Sequence, residues 1–257
     1  RDYEPEHITG AFDLAGHPVK LAFLSTAAVS FRRGLVAPAT GRLELHVPEQ
    51  PNDLPYGEDA LPSLWADQRV PLAQAAVRKL GITLGAGSGS VSADHVARAS
   101  GILGSDTGEL LWASQGEHAR FSIDSPALAA VCGVVANSVL EFRDTSFQFH
   151  SFAPEFACAS LVSLDGSPIR VARRLLFTVA GFAQSGVVLG TNPQLELTSA
   201  QSVPVTVTLP RDSWRAYALD AYRAPMHPIA VDNAERSKIS TKKTADHYPA
   251  QSYAIIR

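Results

Sequence analysis

Residues 203–210 read VPVTVTLP, which puts Val203, Val205, Val207 and Leu209 on one side of an extended backbone and Pro204, Thr206 and Thr208 on the other. A period of two suits a strand with one buried face and does not suit a helix. From about Ala99 onward most of the chain repeats this grammar. Runs such as GELLWAS, ARFSI, ALAAVCGVV, SVLEF, TSFQFHSF, FACASLVSL, RRLLFTVAGF, GVVLG, QLELT, WRAYALD, PIAVD and SYAIIR are each closed by Gly, Pro, Asp or Ser. Within them, residues 162–181 read as two strands joined by a turn on Asp165-Gly166. Many short strands punctuated in this way predict a mainly β fold, an antiparallel β-sandwich of immunoglobulin-like type, with its core between two packed sheets. Trp112, Phe177 and Trp214 are the expected large core or sheet-end residues.

The part before this is mixed α/β. Residues 17–34, HPVKLAFLSTAAVSFRRG, carry a mainly helical apolar stripe. Pro18 suits the first turn and Gly34 the end, with Arg32 and Arg33 at the negative pole of the helix dipole. RLELHV, Arg42–Val47, predicts a short strand, and PEQPNDLPYGEDALP a proline-rich loop. Residues 70–81, VPLAQAAVRKLG, predict a second short helix closed by glycine. The segment 85–94, GAGSGSVSAD, reads as a flexible connector. It lacks the lysine of a P-loop, departs from the dinucleotide pattern and fails the G-x-S-x-G pattern of a nucleophile elbow.

Composition narrows the function classes. The chain has 257 residues, 46% hydrophobic and 18% charged, enough for one large domain or two modest ones around a sizeable core. A net charge of −3 and a pI of 6.2 give no reason to expect a nucleic-acid or membrane partner. No basic-then-apolar leader and no apolar run of about 20 residues is visible. The opening RDYEPEHITGAFDLAGHP has no initiating methionine and is expected to be the interior of a longer protein. Two cysteines, Cys132 and Cys158, lie in apolar strand-like runs and read first as small buried hydrophobes; a bridge between neighbouring strands is the alternative, and sequence does not supply the distance it needs.

Catalytic patterns are sparse. In GSDTGELLW, residues 104–112, Asp106-Thr107-Gly108 reads as a tight turn into a strand, because Asp bonds local backbone and Gly tolerates positive φ. None of the 8 histidines forms a close pair at helical ligand spacing, so no metal site and no cofactor is expected. His95 follows Asp94 but reads as a surface-loop pair. Lys238, Lys242 and Lys243 read as a solvated strand or hairpin. Tyr3, Glu4, Glu6 and His7 are candidates to line a sugar subsite if the N-terminal stretch ends a barrel strand. Tyr56 and Trp65, with Tyr222 and Tyr248, are loop-borne aromatics of the kind that stack on sugars.

The order HITGAFDLAGHPVKLA…FRRGLVAP, SDTGELLW, FSIDSPALAAVCG, SLDGSPIRVARRLLFTVAG and VTVTLP…YALD…YAIIR resembles the C-terminal part of large bacterial glycoside hydrolases. Those enzymes join a (β/α)8 barrel, of the clan that includes cellulases, mannanases and β-galactosidases, to a β-sandwich. The resemblance spans nearly the whole chain. It implies that residues 1–38 are the terminal strand, loop and helix of a barrel, 39–98 a mixed connecting segment, and 99–257 a β-sandwich accessory domain. The acid and nucleophile glutamates of such enzymes lie on earlier barrel strands, and no residue here matches them, so no catalytic residue is carried over. FAQSGVVLG, residues 182–190, lacks the asparagine-rich turn that related sequences place there. The implied function is a non-catalytic portion that braces the catalytic barrel of the same parent protein and extends its groove for polysaccharide or oligosaccharide; a secreted or periplasmic parent is the compartment implied. The alternatives are a free-standing carbohydrate-binding β-sandwich module and an independent hydrolase.

Overall fold

The computed structural model describes residues 18–47, 77–84, 101–115, 118–181, 185–187, 195–197, 203–210, 213–219, 225–232, 237–241 and 252–257. It is mainly β, with one helix among the described residues, and its sheets are antiparallel apart from the two-stranded β1–β2 pair. In chain order the elements are α1 (Pro18–Arg33), β1 (Arg42–Val47), β2 (Lys79–Leu84), β3 (Gly101–Gly104), β4 (Leu110–Gln115) and β5 (His118–Ser125). There follow β6 (Leu128–Val134), β7 (Val139–Glu141), β8 (Ser146–Phe149), β9 (Phe156–Ser163), β10 (Arg174–Gly181), β11 (Ser185–Val187) and β12 (Leu195–Leu197). The last are β13 (Val205–Thr208), β14 (Arg215–Leu219), β15 (Pro225–Ile229), β16 (Val231–Asp232), β17 (Lys238–Ser240) and β18 (Ser252–Ile256). The chain divides into two compact units, one made of Arg1–Leu35 with Pro126–Arg257, the other of Val36–Ser125.

The first unit holds the sandwich. One of its sheets runs in the order β15-β14-β18-β10-β9-β6, the other β16-β17-β13-β8-β7, with antiparallel pairing throughout. Alternation decides which side chains enter the core. Val203, Val205, Val207 and Leu209 are buried, while the intervening Pro204, Thr206 and Thr208 are half-buried. Phe147 and Phe149 of β8 face the same way and meet Leu161, Phe177 and Tyr253 from the other sheet in one core cluster. Phe177 packs against Phe147 at 5.7 Å and against Tyr253 at 5.8 Å between ring centroids. Trp214 is buried in this cluster, as expected of a large core residue. Pro225 and Pro228 sit on β15, at the edge of the sheet, where a missing N–H breaks no ladder.

β9 and β10 are buried on both faces, whereas β6 alternates. The difference is α1, which packs on β9 and β10. Its Thr26 hydroxyl lies 3.2 Å from that of Ser160, a buried contact between residues 134 apart in sequence. The helix ends as its sequence predicts. Gly34 adopts φ +58°, its N–H bonds the Phe31 carbonyl at 3.3 Å, and the Leu35 N–H bonds the Ser30 carbonyl at 3.0 Å. This pair of bonds is a Schellman cap, and the buried Leu35 closes it.

Three readings are corrected by the structure. The helix predicted over 70–81 does not continue through Gly81. Val77 ends a helical turn, and Lys79–Leu84 is strand β2, paired in parallel with β1 so that Gly81 faces Glu44. The parallel pairing with β1 outweighs the glycine that reads as a cap; residues 70–76 lie outside the described residues. PIAVD is not one strand, because β15 ends at Ile229 and β16 starts at Val231 in the other sheet. Cys132 and Cys158 are not free thiols. They stand opposite each other in the β6–β9 register and form a disulfide. GILG (β3) is a strand that its glycines concealed.

In the second unit, β3, β4 and β5 form an antiparallel meander. Trp112 is half-buried on β4.

Candidate functional site

Tyr3, Glu4, Glu6, His7, Tyr56 and Trp65 all lie outside the described residues, as do Tyr222, Tyr248, Lys242, Lys243, Asp94, His95 and the connector 85–94. Lys238 is exposed on β17, in the strand its surroundings predicted. Among the described residues two features stand out, each within its own unit: a carboxylate-centred turn in the second unit, and in the first a carboxylate-centred turn with an end of the sandwich rich in arginine.

The first turn joins β3 to β4. The Gly108 N–H bonds the Ser105 carbonyl at 3.0 Å, with Gly108 at φ +72°, and the Ser105 N–H bonds the Leu110 carbonyl at 2.8 Å. This is the Asp-Thr-Gly turn that the sequence implies, and it has a further use. Asp106 Oδ2 accepts from the Thr40 hydroxyl at 2.5 Å, the Gly41 N–H at 2.6 Å and the Thr40 N–H at 2.7 Å, while Glu109 Oε2 accepts from the Ala37 N–H at 2.6 Å. Two carboxylates thus clamp the 37–41 backbone within this unit. The Thr40 hydroxyl, then the Gly41 N–H, stabilise the charged form of Asp106 and lower its pKa from 3.8 to about 2. A carboxyl so acidic, with its lone pairs turned on backbone, is a poor proton donor near neutrality.

The second turn joins β9 to β10 and contains Asp165-Gly166. Asp165 Oδ1 accepts from the Ser163 hydroxyl at 2.7 Å and the Ser167 N–H at 3.1 Å, and Oδ2 accepts from the Arg173 N–H at 2.9 Å. Partial burial works against the charge, but the Arg173 N–H, the Ser163 hydroxyl and Ser167 outweigh it and lower the pKa to about 2. Arg33 at the end of α1 donates from Nη1 to the Asp165 carbonyl at 3.3 Å. The Arg257 N–H bonds the Arg173 carbonyl at 3.1 Å, and the Arg257 guanidinium lies 5.3 Å from the centroid of the Trp214 ring. Arg174 and Arg215 both stand opposite Ile256 of β18, one on each side. Sequence reading missed this convergence, although RVARR and FRR advertise its parts; what it lacked was the pairing that brings residues 33, 173, 215 and 257 to one end.

Neither turn pairs two carboxylates across an open cleft, and among the described residues no three His, Cys, Asp or Glu side chains group as metal ligands. No described helix is long and apolar enough to cross a membrane. What the arrangement offers is a helix with one seated face and one free face, beside a cationic sheet end. Compared with protein-family models, with curated proteins and with solved structures, the chain matches none.

Proposed function

We propose that this chain is the non-catalytic C-terminal portion of a polysaccharide-degrading glycoside hydrolase, and that it braces a catalytic (β/α)8 barrel through α1. The observation that carries the reading is the two-sidedness of that helix. Ala22 and Thr26 are buried, whereas Phe31 is 90% and Leu24 51% exposed. On a 3.6-residue period Leu24 and Phe31 share a stripe with Ala27 and Ala28, opposite Ala22 and Thr26. Covering such a stripe gains about 1.5–3 kcal/mol for each large side chain fully buried. A barrel supplies the matching apolar surface, since each helix of its outer ring packs on the strands within. In this reading α1 is a terminal barrel helix clasped between barrel and sandwich, the loops of the sandwich extend the substrate groove, and hydrolysis belongs to carboxylates on the barrel.

Sedimentation and activity measurements test this together. The chain by itself is expected to self-associate through the stripe, the Leu24→Lys/Phe31→Lys variant to be monomeric, and neither to release sugar from aryl glycosides or polysaccharides. A sharply melting monomer at every concentration, or hydrolysis by the purified chain, would overturn the proposal.

A further inference from the structure

Five arginines lie at one end of the sandwich unit, Arg174 and Arg215 on one face of the sheet and Arg257 turned onto Trp214 of the core. Arg174 opens β10 and Arg215 opens β14, and β18 runs between them with Ile256 paired to both. With strands about 4.8 Å apart, the two backbones stand about 10 Å from each other. Arg173 and Arg257 are joined by a backbone bond of 3.1 Å at the same end, and Arg33 reaches it through the Asp165 carbonyl. All five are exposed, and their guanidiniums form no ion pair among the described residues. Asp165, which touches Arg33 and the Arg173 backbone, gives its carboxylate oxygens to Ser163, Ser167 and the Arg173 N–H instead of to a guanidinium. The whole chain carries a net charge of −3, so this concentration of positive charge is local. Arg174 and Arg215 flank one residue of the strand between them, and an anion bound there would offset the repulsion between like charges.

We infer that this end of the sandwich binds acidic polysaccharide, with Arg174 and Arg215 each holding a carboxylate or sulfate group of one glycan strand. The inference rests on the polysaccharide-degrading reading and narrows its substrate class to uronate- or sulfate-bearing chains. The guanidinium fork matches either anion with two parallel hydrogen bonds. Nucleic acid fits less well. Trp214 is buried beneath Arg257 and presents no face on which a base could stack.

Affinity electrophoresis of the full chain in polygalacturonate, dextran sulfate, neutral galactomannan or duplex DNA tests the inference at about 0.15 M salt, where charges are screened beyond about 8 Å. Retardation is expected with one or both acidic glycans, the responsive one identifying the anion, and not with galactomannan or DNA. The R174Q/R215Q variant, with an unchanged melt, is expected to bind at least about tenfold more weakly, the loss that one charge-assisted contact accounts for. R174K/R215K keeps the charge but not the fork and should recover only part of the affinity; full recovery would overturn the two-bond contact. Wild-type binding should also weaken as salt rises, a measurement that needs no variant. No retardation by either acidic glycan, equal retardation by DNA, retardation by galactomannan, or a glutamine pair that binds like wild type would each overturn the inference. A chain that binds acidic glycan through these arginines but never associates through Leu24 and Phe31 keeps the site and loses the bracing role. The opposite pattern keeps the bracing role and loses the site.

Discussion

The seat of α1 on the sandwich can be measured by a double-mutant cycle on Thr26 and Ser160. Their hydroxyls are 3.2 Å apart, and the residues are 6% and 1% exposed, so neither hydroxyl has easy recourse to water. Thr26→Val keeps the side-chain shape and nearly the same helix propensity but leaves the Ser160 hydroxyl without its partner on the helix. An orphaned buried hydroxyl costs about 1–3 kcal/mol, and Ser160→Ala should cost a similar amount by orphaning Thr26. Replacing both removes the polar demand from each side, so the double variant should lose at least about 1 kcal/mol less than the sum of the two. Denaturant unfolding monitored by tryptophan fluorescence gives the three free energies, and melting gives a check at about 2–4 °C per kcal/mol. Amides of α1 should lose exchange protection in both single variants. Additivity within about 0.5 kcal/mol would refute the reasoning, because residues in contact do not behave so. The helix would then not be seated as described, and the contrast between its two faces would no longer support a bracing role.

Other outcomes follow from the same physics. Phe177→Ala should destabilise the sandwich unit by about 3–5 kcal/mol, as it empties the space between Phe147 and Tyr253; a loss below about 1 kcal/mol on thermal or chemical unfolding would contradict the core described. Asp106 and Asp165 have folded pKa values lowered to about 2 from 3.8, so the stability they confer is fully present above pH 3.8 and is lost as pH falls through 2. Denaturation midpoints measured from pH 5 to pH 2 should therefore fall, and fall less steeply in Asp165→Asn; an identical slope in the variant would argue against the turn geometry. The Cys132–Cys158 bridge closes a separation of 26 residues, for which the chain-entropy relation gives about 3.5 kcal/mol. Alkylation should label neither cysteine in the native protein and both after reduction, with a lower melting temperature; labelling without reductant would show that no bridge forms.

What was legible in the sequence followed from local periodicity. Alternation in VPVTVTLP and TSFQFHSF fixed which residues enter the core, and Pro18 with Gly34 bounded α1 to within a residue. What escaped was set by tertiary partners. FACASLVS and RLLFTVAG are apolar on both faces because a helix covers the face that water would otherwise meet, and nothing within those strands says so. Lys79–Gly81 reads as the end of a helix, but a parallel neighbour claims its backbone as part of β2. Asp106 was legible as a turn residue, but its bonds to Thr40 and Gly41 join positions 66 and 65 residues away, beyond any local pattern. The cysteine bridge and the arginine end both depend on strand register, which pattern alone does not give.

The helix seat and the cationic end are not independent constructions, because one turn positions both. The Asp165 carbonyl receives Arg33 from α1, and the Asp165 carboxylate receives the N–H of Arg173, which fixes where β10 begins and therefore where Arg174 stands. Gly166 permits this. It adopts φ +77°, and a Cβ there would lie 3.2 Å from Arg33 Nη1, so any other residue would add backbone strain and push the guanidinium away. A side chain at this position should therefore strain the turn and shift the Arg33 guanidinium from the Asp165 carbonyl, whereas a change at Phe31 should touch only the exposed face of the helix. The two surfaces proposed to meet barrel and glycan would then share a single rigid reference point, which is what a domain needs if it is to hold substrate in a fixed relation to an active site carried on another part of the protein.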